Sequence, residues 1–290
     1  MINVVPRPPL YPKPEKERLR RGRMTIAIGV PCRYENLKCA IVCADTKITA
    51  SDWATTWGAK LSLSITRRSS SFAIAYAAED ADAAKMLAED ITKALCDETT
   101  TPFNLEVVLK KNMTDWHAAY SGSTPPPIQF VLAAGVKERC DLFLCSPPNT
   151  VLRKTKAFAV GSGGRALDPL LVLESESPPT AHAAISRAAY WMYRAKQYEG
   201  AFCGGDTHVF MIAEHGGFCL MEDEGIKKIE ALGKDIDKLL NECLLKMLDC
   251  ASEEAQRAFL EKFSMSYLEL AAKAVQPELI NPRFLDRTKS

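Results

Sequence analysis

The first folded part of the chain, from Thr25 to about residue 78, consists of short β-rich runs. TIAIGV and KCAIVCADTKIT flank the polar tetrapeptide RYEN, and this arrangement predicts a β-hairpin. AKLSLSI then alternates apolar and polar residues with a period of two, which is typical of a half-buried strand. SSSFAIAYAA predicts one more strand. Folding is therefore expected to begin at Thr25 with a sheet.

Helices and a second group of strands follow. EDADAAKMLAEDITKALC and NLEVVLKKNMTDWHAAY have helical spacing of apolar residues, and the prolines of STPPP end the second helix. IQFVLAAGV, DLFLCSP and TVLRKTKAFAVGSG predict three strands, and a helix is expected from about Ala181 to Ala195. THVFMIAE and GFCLMED predict a hairpin, and the chain is mostly helical from about Lys234 to Val275. Separate blocks of strands and helices predict an α+β fold.

The N-terminal segment differs in composition from the rest of the chain. Residues 2–23 hold five Pro, seven Lys or Arg and only two Glu. Such sequence buries too little apolar surface to order itself, so we expect residues 1–23 to be a flexible tail, either a propeptide or the product of a misassigned start. Residues 24–230 are expected to form the folded domain, and residues 231–290 a helical C-terminal extension.

Charge and cysteine usage exclude several classes of protein. Lys plus Arg number 37 and Asp plus Glu 36, a balance that argues against a dedicated nucleic-acid binder. The longest apolar runs reach about half of the roughly 20 residues of a transmembrane helix, so no membrane partner is expected. The ten cysteines have irregular spacing without a CxxC pair, which disfavours structural zinc. Without an export signal, reduced thiols in the cytoplasm are predicted.

Several motifs together carry a resemblance to a known family. They are Met24–Gly29, Ala44–Thr49 and Gly58–Leu61, followed by AYAAEDADAAKMLAEDI and by FVLAAGV, DLFLCSP and VLRKTKAFAVGSGGRAL. Over about residues 24–223, their order and spacing resemble a bacterial-type proteasome β-subunit of the N-terminal nucleophile (Ntn) hydrolase superfamily. No single motif is decisive by itself.

The resemblance implies a four-layer αββα sandwich and a threonine-type endopeptidase. Subunits of such a family stack into homo-oligomeric rings that cut peptides or unfolded proteins, and an ATPase unfoldase is a further implied partner. Matched to the family motifs, the catalytic residues are Thr25, Asp45, Lys60 and Ser162. Thr25 supplies both nucleophile and base, and Ser162 supports its amino group. No metal or organic cofactor is required.

The proposed chemistry is consistent with the properties of these residue types. A Thr hydroxyl is a weak nucleophile unless a nearby base takes its proton. A free α-amine has an ordinary pKa of about 7.7–8.0 and is suited to that role near neutral pH. A neighbouring Lys60 would lower the pKa of the amine by like-charge repulsion, and Asp45 would orient the Lys. The alternative is that Asp45 begins a turn and Lys60 is a solvated strand end.

This mechanism requires that the Thr25 amine be free. Family precursors that process themselves have Gly before the Thr, whereas this chain has Met24. Met followed by a small residue suits removal of an initiator methionine. We therefore expect translation to begin at Met24, or residues 1–23 to be a short propeptide.

Substrate contacts and departures from the family pattern complete the sequence-based hypothesis. Thr49 matches the position whose backbone pairs with an extended peptide, and the oxyanion-hole glycine of the family falls at Tyr76 or Ala77. Gly200 and Cys203 stand where the family has Asp and Ser. Two alternatives remain open: a catalytically inactive structural ring subunit, and an Ntn-type amidase that acts on a small amide.

Overall fold

The computed structural model describes most of the chain between Thr25 and Ala274. The described residues are 25–49, 55–65, 70–96, 101–120, 124–172, 177–201, 203–249 and 252–274. In this part of the chain, the fold is α+β with two five-stranded antiparallel sheets, as predicted for the fold class. The expected tail at residues 1–23 lies outside the described residues.

The first sheet has the strand order β10-β1-β2-β11-β12. Its strands are β1 (Ile26–Tyr34), β2 (Leu37–Asp45), β10 (Phe158–Gly161), β11 (Thr207–Ala213) and β12 (Phe218–Leu220). The predicted β1–β2 hairpin is confirmed: Tyr34 pairs with Leu37, and Glu35 in the turn has a φ of 52°. Such a left-handed residue suits a two-residue hairpin turn.

The second sheet has the strand order β5-β6-β7-β8-β9. Its strands are β5 (Leu61–Ile65), β6 (Ser71–Ala78), β7 (Ile128–Val136), β8 (Arg139–Ser146) and β9 (Thr150–Lys154). A separate two-stranded ribbon consists of β3 (Lys47–Thr49) and β4 (Thr55–Trp57). This ribbon connects the end of β2 to the start of β5.

Six α-helices occur in the described part of the chain. They are α1 (Ala81–Leu95), α2 (Leu105–Ala119), α3 (Ser162–Val172), α4 (Ala181–Tyr198), α5 (Asp223–Asp249) and α6 (Glu253–Ala274). Two of these helices begin after an N-cap residue whose side-chain oxygen accepts a hydrogen bond from a backbone N–H. Asp80 accepts a hydrogen bond from the Ala83 N–H at 3.0 Å, and Thr180 accepts one from the Ala183 N–H at 3.4 Å.

Three buried clusters hold these elements together. Residues of β6 and β7 pack with α1 and α2 in one cluster, and residues of β1, β2 and β11 pack with α4 in a second. The third cluster combines inward-facing residues of both sheets and is rich in alanine. Small side chains allow the sheets to approach closely: a Cβ added at Gly135 on β7 would overlap the Ala213 carbonyl oxygen. The four-layer αββα description stays a prediction beyond the α+β class.

Two sequence-based element assignments were wrong. TVLRKTKAFAVGSG is not one strand: β9 belongs to the second sheet and β10 to the first, with a bend at Thr155–Lys156. The run contains four consecutive polar residues, Arg153–Lys156, which interrupt the apolar pattern at the crossing. Helix α3 was missed because its sequence begins Ser-Gly-Gly and contains Pro169, both poor helix signals.

The C-terminal helical region begins earlier than the sequence predicted. Helix α5 starts at Asp223 rather than near Lys234, so the predicted boundary between residues 230 and 231 falls within a continuous helix. The division into a 24–230 domain and a 231–290 extension stays a prediction. Over the described residues, none of the helices has the length and apolar character needed to cross a membrane.

The close approach of the two sheets predicts that Gly135 tolerates no larger residue. Gly135→Ala would force a methyl group against the Ala213 carbonyl oxygen, and overpacking of this kind costs about 1–3 kcal/mol. We expect urea denaturation to show a decrease of that size in the free energy of unfolding. Ser62→Ala, on the exposed side of β5 in the same sheet, should leave it nearly unchanged. Equal stability of the two variants would contradict the proposed close contact.

Candidate functional site

Thr25 lies at the head of β1 and is buried. Its side chain and backbone are only 4% exposed, and its hydroxyl oxygen Oγ1 has no hydrogen-bond partner among the described residues. The neighbouring strand β10 reaches Thr25 through Gly161, which pairs with Ile26. A buried hydroxyl without a partner is unfavourable unless another group or a ligand binds there.

Asp45 and Lys60 form a buried ion pair beside this strand. Lys60 Nζ lies 2.7 Å from Asp45 Oδ1, and both side chains are 1% exposed or less. The other carboxylate oxygen accepts a hydrogen bond from the Gly204 N–H at 2.8 Å. Asp45 ends β2, whereas Lys60 immediately precedes β5. The pair therefore links the two sheets across the interior.

Burial shifts the pKa values of both partners. It raises the pKa of the Asp45 carboxyl, while Lys60 and the backbone N–H groups of Gly204 and Ile26 act in the opposite direction. Burial also lowers the pKa of the Lys60 ammonium, and the Asp45 carboxylate opposes this effect. Lys60 consequently holds its proton less firmly than an exposed lysine does.

The Ile26 N–H relates the ion pair to Thr25. It lowers the pKa of the Asp45 carboxyl, and Ile26 follows Thr25 directly in the chain. The backbone at the head of β1 therefore stabilises the charged form of the carboxylate that also binds Lys60. The structure brings these predicted residues into one buried region, and their catalytic roles stay a prediction.

Gly161 and Ser162 form the opposite wall of this region. Gly161 has a φ of +89°, and a Cβ at this position would overlap the Thr25 carbonyl oxygen. Both the conformation and the close contact therefore require glycine. Ser162 begins α3, and its buried Oγ has no hydrogen-bond partner among the described residues. Two unpartnered hydroxyls thus lie at the ends of adjacent strands: Thr25 directly precedes β1, and Ser162 directly follows β10.

Cys203 is a third wall of the region. Its Sγ would lie 2.6 Å from a Cβ added at Gly163, which in turn would contact Ile26. Burial raises the pKa of the Cys203 thiol to about 12, so this thiol is neutral near pH 7. The charges of Asp45 and Lys60 act on it with opposite signs. Sequence reasoning identified no basic partner for Cys203, because Lys60 is distant in the sequence.

The predicted substrate-binding residues occupy different surroundings. The backbone of Thr49 pairs with Thr55 in the β3–β4 ribbon. Tyr76 packs in the cluster with α1, and its N–H already donates to the Lys60 carbonyl at 3.2 Å. Ala77 faces the space between the sheets, where its Cβ would lie 2.8 Å from a Cβ at Gly161. Because the Tyr76 N–H already donates to the Lys60 carbonyl, it cannot also serve as an oxyanion donor.

A pocket of about 360 Å³ opens beside Lys60. It lies between the ribbon, the start of β5 and helix α1. Its apolar wall includes Ile48 and Leu61, and its charged rim consists of Asp82, Lys85 and Glu89 on α1. The Tyr76 hydroxyl donates to the Ala59 carbonyl at 3.5 Å in the same wall. The pocket is large enough for one amino-acid side chain.

Sequence reasoning missed two residues that shape this region. Gly204 supplies a backbone N–H to Asp45, and Gln129 accepts the Gly161 N–H at 3.1 Å through its side-chain oxygen. Gly204 directly follows Cys203, in a stretch that departs from the family pattern, and Gln129 carried no sequence signal. In the described part of the chain, no group of three or more His, Cys, Asp or Glu side chains could hold a metal ion.

Comparison with known proteins finds similarity among solved structures. No protein-family model and no curated protein sequence matches this chain. Anbu from Hyphomicrobium sp. strain MC1 has a TM-score of 0.60 at 14% identity, covering 79% of this chain and 99% of that one. Anbu (ancestral beta-subunit) from Yersinia bercovieri has a TM-score of 0.59 at 13% identity, covering 79% and 98%. The helical assembly of the Anbu complex from Pseudomonas aeruginosa gives 0.61 at 11%, covering 77% and 96%.

These neighbours correct the family resemblance drawn from the sequence. The assignment to bacterial-type proteasome β-subunits of the Ntn hydrolases was wrong, because the similar solved structures are Anbu proteins, which are proteasome-like but distinct. At these identities the likeness shows the fold alone.

The buried ion pair predicts a strong coupling between Asp45 and Lys60. Lys60→Met should lower the free energy of unfolding by about 3–5 kcal/mol, because it leaves the Asp45 carboxylate buried and unpaired. The double variant Asp45→Asn/Lys60→Met should lose much less than the sum of its single variants. Urea denaturation of all three measures this coupling.

A matched control comes from an exposed pair. Lys93 Nζ lies 3.9 Å from Asp90 Oδ1, and the two side chains are 79% and 59% exposed. Lys93→Met should leave the stability nearly unchanged, because exposed pairs contribute little. Strictly additive effects at Asp45 and Lys60 would show that the two side chains do not depend on each other.

Proposed function

We propose that this chain is a threonine-type peptidase whose nucleophile is Thr25, exposed after removal of residues 1–24. The observation that carries the proposal is the buried Lys60–Asp45 pair, whose carboxyl pKa is lowered by the N–H of Ile26, the residue that follows Thr25. A buried pair of opposite charges next to an unpartnered hydroxyl is typical of a functional site. The unpartnered Oγ atoms of Thr25 and Ser162 support the same interpretation.

In the proposed mechanism, the Thr25 amine acts as the base. It takes the proton of Thr25 Oγ1 as that oxygen attacks the scissile carbonyl carbon, and it returns the proton to the leaving amine. The Lys60 ammonium lowers the pKa of the amine by repulsion, and Asp45 keeps Lys60 in place. The Ser162 hydroxyl hydrogen-bonds the amine. Water then attacks the ester on Thr25, and the same amine takes a proton from that water. The amine passes this proton to Oγ1 as the ester bond breaks, which releases the acid product and restores the Thr25 hydroxyl.

The substrate is proposed to bind as an extended peptide along the ribbon. The backbone of Thr49 would pair with it as an added strand. Ala77 would leave space beside Gly161, and Tyr76 would line the pocket that receives the side chain before the scissile bond. Because two of the three charged rim residues are acidic, we propose a preference for basic or apolar side chains over acidic ones.

The assembly is proposed to be homo-oligomeric and proteasome-like, built on a four-layer αββα stack of sheets and helices. One similar structure is a helical assembly of the Anbu complex, and another is an Anbu ancestral beta-subunit. A ring or helical arrangement of this chain, its cytoplasmic location and an ATPase unfoldase partner are parts of the proposal. Mass photometry and electron microscopy of the full chain test the assembly directly.

The nucleophile assignment predicts a large loss of activity for one hydroxyl. A chain that begins at Thr25 should cut fluorogenic peptides, and Thr25→Ala should lower kcat/KM by at least about 10³-fold. Thr25→Ser should keep measurable activity because its hydroxyl remains. Thr114→Ala on helix α2 is the control: it removes a hydroxyl that donates to the Pro148 carbonyl, and it should behave as the wild type.

Three outcomes would decide against parts of this assignment. Full peptidase activity in Thr25→Ala would refute the mechanism. Native protein that assembles with Met1 still attached and cuts nothing would indicate an inactive structural subunit. Hydrolysis of small amides without peptide cleavage would indicate an amidase. Mass spectrometry of the native N-terminus comes first, because the base exists only when residues 1–24 are absent.

The charged rim of the pocket predicts a measurable specificity. Asp82→Asn should reduce the ratio of activity on substrates with Lys, relative to Leu, before the scissile bond by up to about fivefold, because exposed charge pairs contribute about 1 kcal/mol or less. Lys85→Gln, on the same helix and pocket, should raise that ratio. Parallel kcat/KM measurements on matched peptides provide the test. If both variants keep the wild-type ratio, the substrate side chain binds outside this pocket.

A further inference from the structure

Gln129 connects the two sheets beside Thr25. It lies on β7, the central strand of the second sheet, and its Oε1 accepts a hydrogen bond from the Gly161 N–H at 3.1 Å. Gly161 belongs to β10, an edge strand of the first sheet. A side chain of one sheet therefore satisfies a backbone group of the other sheet at the site.

Gly161 is the backbone group that lies against Thr25. Its φ of +89° and the overlap of any added Cβ with the Thr25 carbonyl oxygen leave little freedom in its position. Because β10 ends at Gly161, no further strand residue holds the peptide beyond this point. Among the described residues, the Gln129 side chain is the acceptor that holds the Gly161 N–H.

The position of Gly161 sets the position of its neighbours. Ser162 follows it and begins α3, with its buried Oγ unpartnered among the described residues. Ala77 is the cross-strand partner of Gln129, and its Cβ would lie 2.8 Å from a Cβ at Gly161. A shift of the Gly161 peptide would therefore move the Ser162 hydroxyl relative to Thr25.

From these contacts we infer that Gln129 is a positioning residue for the reaction at Thr25, acting through the Gly161 peptide. The inference rests on the proposed function. Gln129 does not touch the reacting atoms: its side-chain oxygen holds the turn that presents Ser162 to the Thr25 amine. Its role requires a hydrogen-bond acceptor at that point, and this requirement separates it from ordinary packing.

The test compares variants with and without the acceptor. Gln129→Leu should lower kcat by about 10-fold to 100-fold, because small misplacements of reacting groups have effects of that order. KM should change less than about twofold, since the peptide-binding ribbon is untouched. Gln129→Glu keeps an acceptor oxygen and should stay within about threefold of the wild-type kcat. Gln197→Leu, at an exposed glutamine on α4, is the matched control and should have no effect.

A second readout keeps the test valid if Gln129→Leu folds poorly. Gln129→Met, with a straight side chain and only a weak acceptor, replaces it, and thermal melting confirms folding in each variant. Amide hydrogen exchange of the peptide spanning residues 158–162 should be faster in Gln129→Met than in Gln129→Glu. The rate of covalent labelling of Thr25 by an electrophilic peptide should fall in parallel with kcat.

The outcomes distinguish this inference from the proposed function. Wild-type chain that begins at Thr25 and is neither labelled nor active would overturn both. Active wild type together with full kcat in folded Gln129→Leu or Gln129→Met would overturn the positioning role alone. Equal losses in the Glu and Met variants would also overturn it, because the acceptor would then be irrelevant. Loss in Met with recovery in Glu supports it.

Discussion

The buried Lys60–Asp45 pair is the interaction on which the site depends. Two charges at 2.7 Å in the interior are stabilised only if their remaining hydrogen-bonding capacity is also satisfied. Two backbone N–H groups stabilise the charged carboxylate: that of Gly204, which donates to it at 2.8 Å, and that of Ile26, which lowers its pKa. Each comes from a different part of the first sheet or its loops, so the pair fixes the end of β2, the head of β1 and the segment before β11 together.

The Lys60–Asp45 pair can form between the two sheets because the sheets lie close together. Their shared cluster is built mainly from alanine, valine and a few larger residues at its edges. Gly135 and Gly161 lie where backbone of one element approaches backbone of another too closely for a Cβ. Small residues therefore determine the separation of the sheets, and that separation lets Lys60 reach Asp45 and lets Gln129 reach Gly161.

Much of the local structure could be predicted from the sequence. The RYEN turn and its flanking strands determined the β1–β2 hairpin, and the spacing of Ala83, Leu87 and Ile91 predicted α1. These signals depend on neighbouring residues alone. The crossing from β9 to β10 was missed although four consecutive polar residues, Arg153–Lys156, interrupt the run, and the start of α3 was missed because Ser-Gly-Gly is a poor helix start.

The site could be predicted only in part, because sequence signals depend on neighbouring residues and the site joins residues that are distant in the sequence. Thr25, Asp45 and Lys60 were named through a resemblance of motifs, and spacing alone could not have chosen them over a turn and a solvated strand end. The family behind that resemblance was wrong even though the motifs carried real information about the fold. The partners that complete the site, Gly204 and Gln129, act through a backbone amide and a single side-chain oxygen, and neither follows a sequence pattern.

The position of Thr25 at the head of a strand also explains why processing and activity would be linked. While residues 1–24 are attached, the nitrogen of Thr25 belongs to a peptide bond and cannot accept a proton. The Lys60–Asp45 pair needs no such step, because both of its partners and the N–H of Ile26 exist in the full-length chain. The fold can therefore assemble the surroundings of the proposed base in the full-length chain, and removal of the leading segment would convert the Thr25 nitrogen from an amide into an amine.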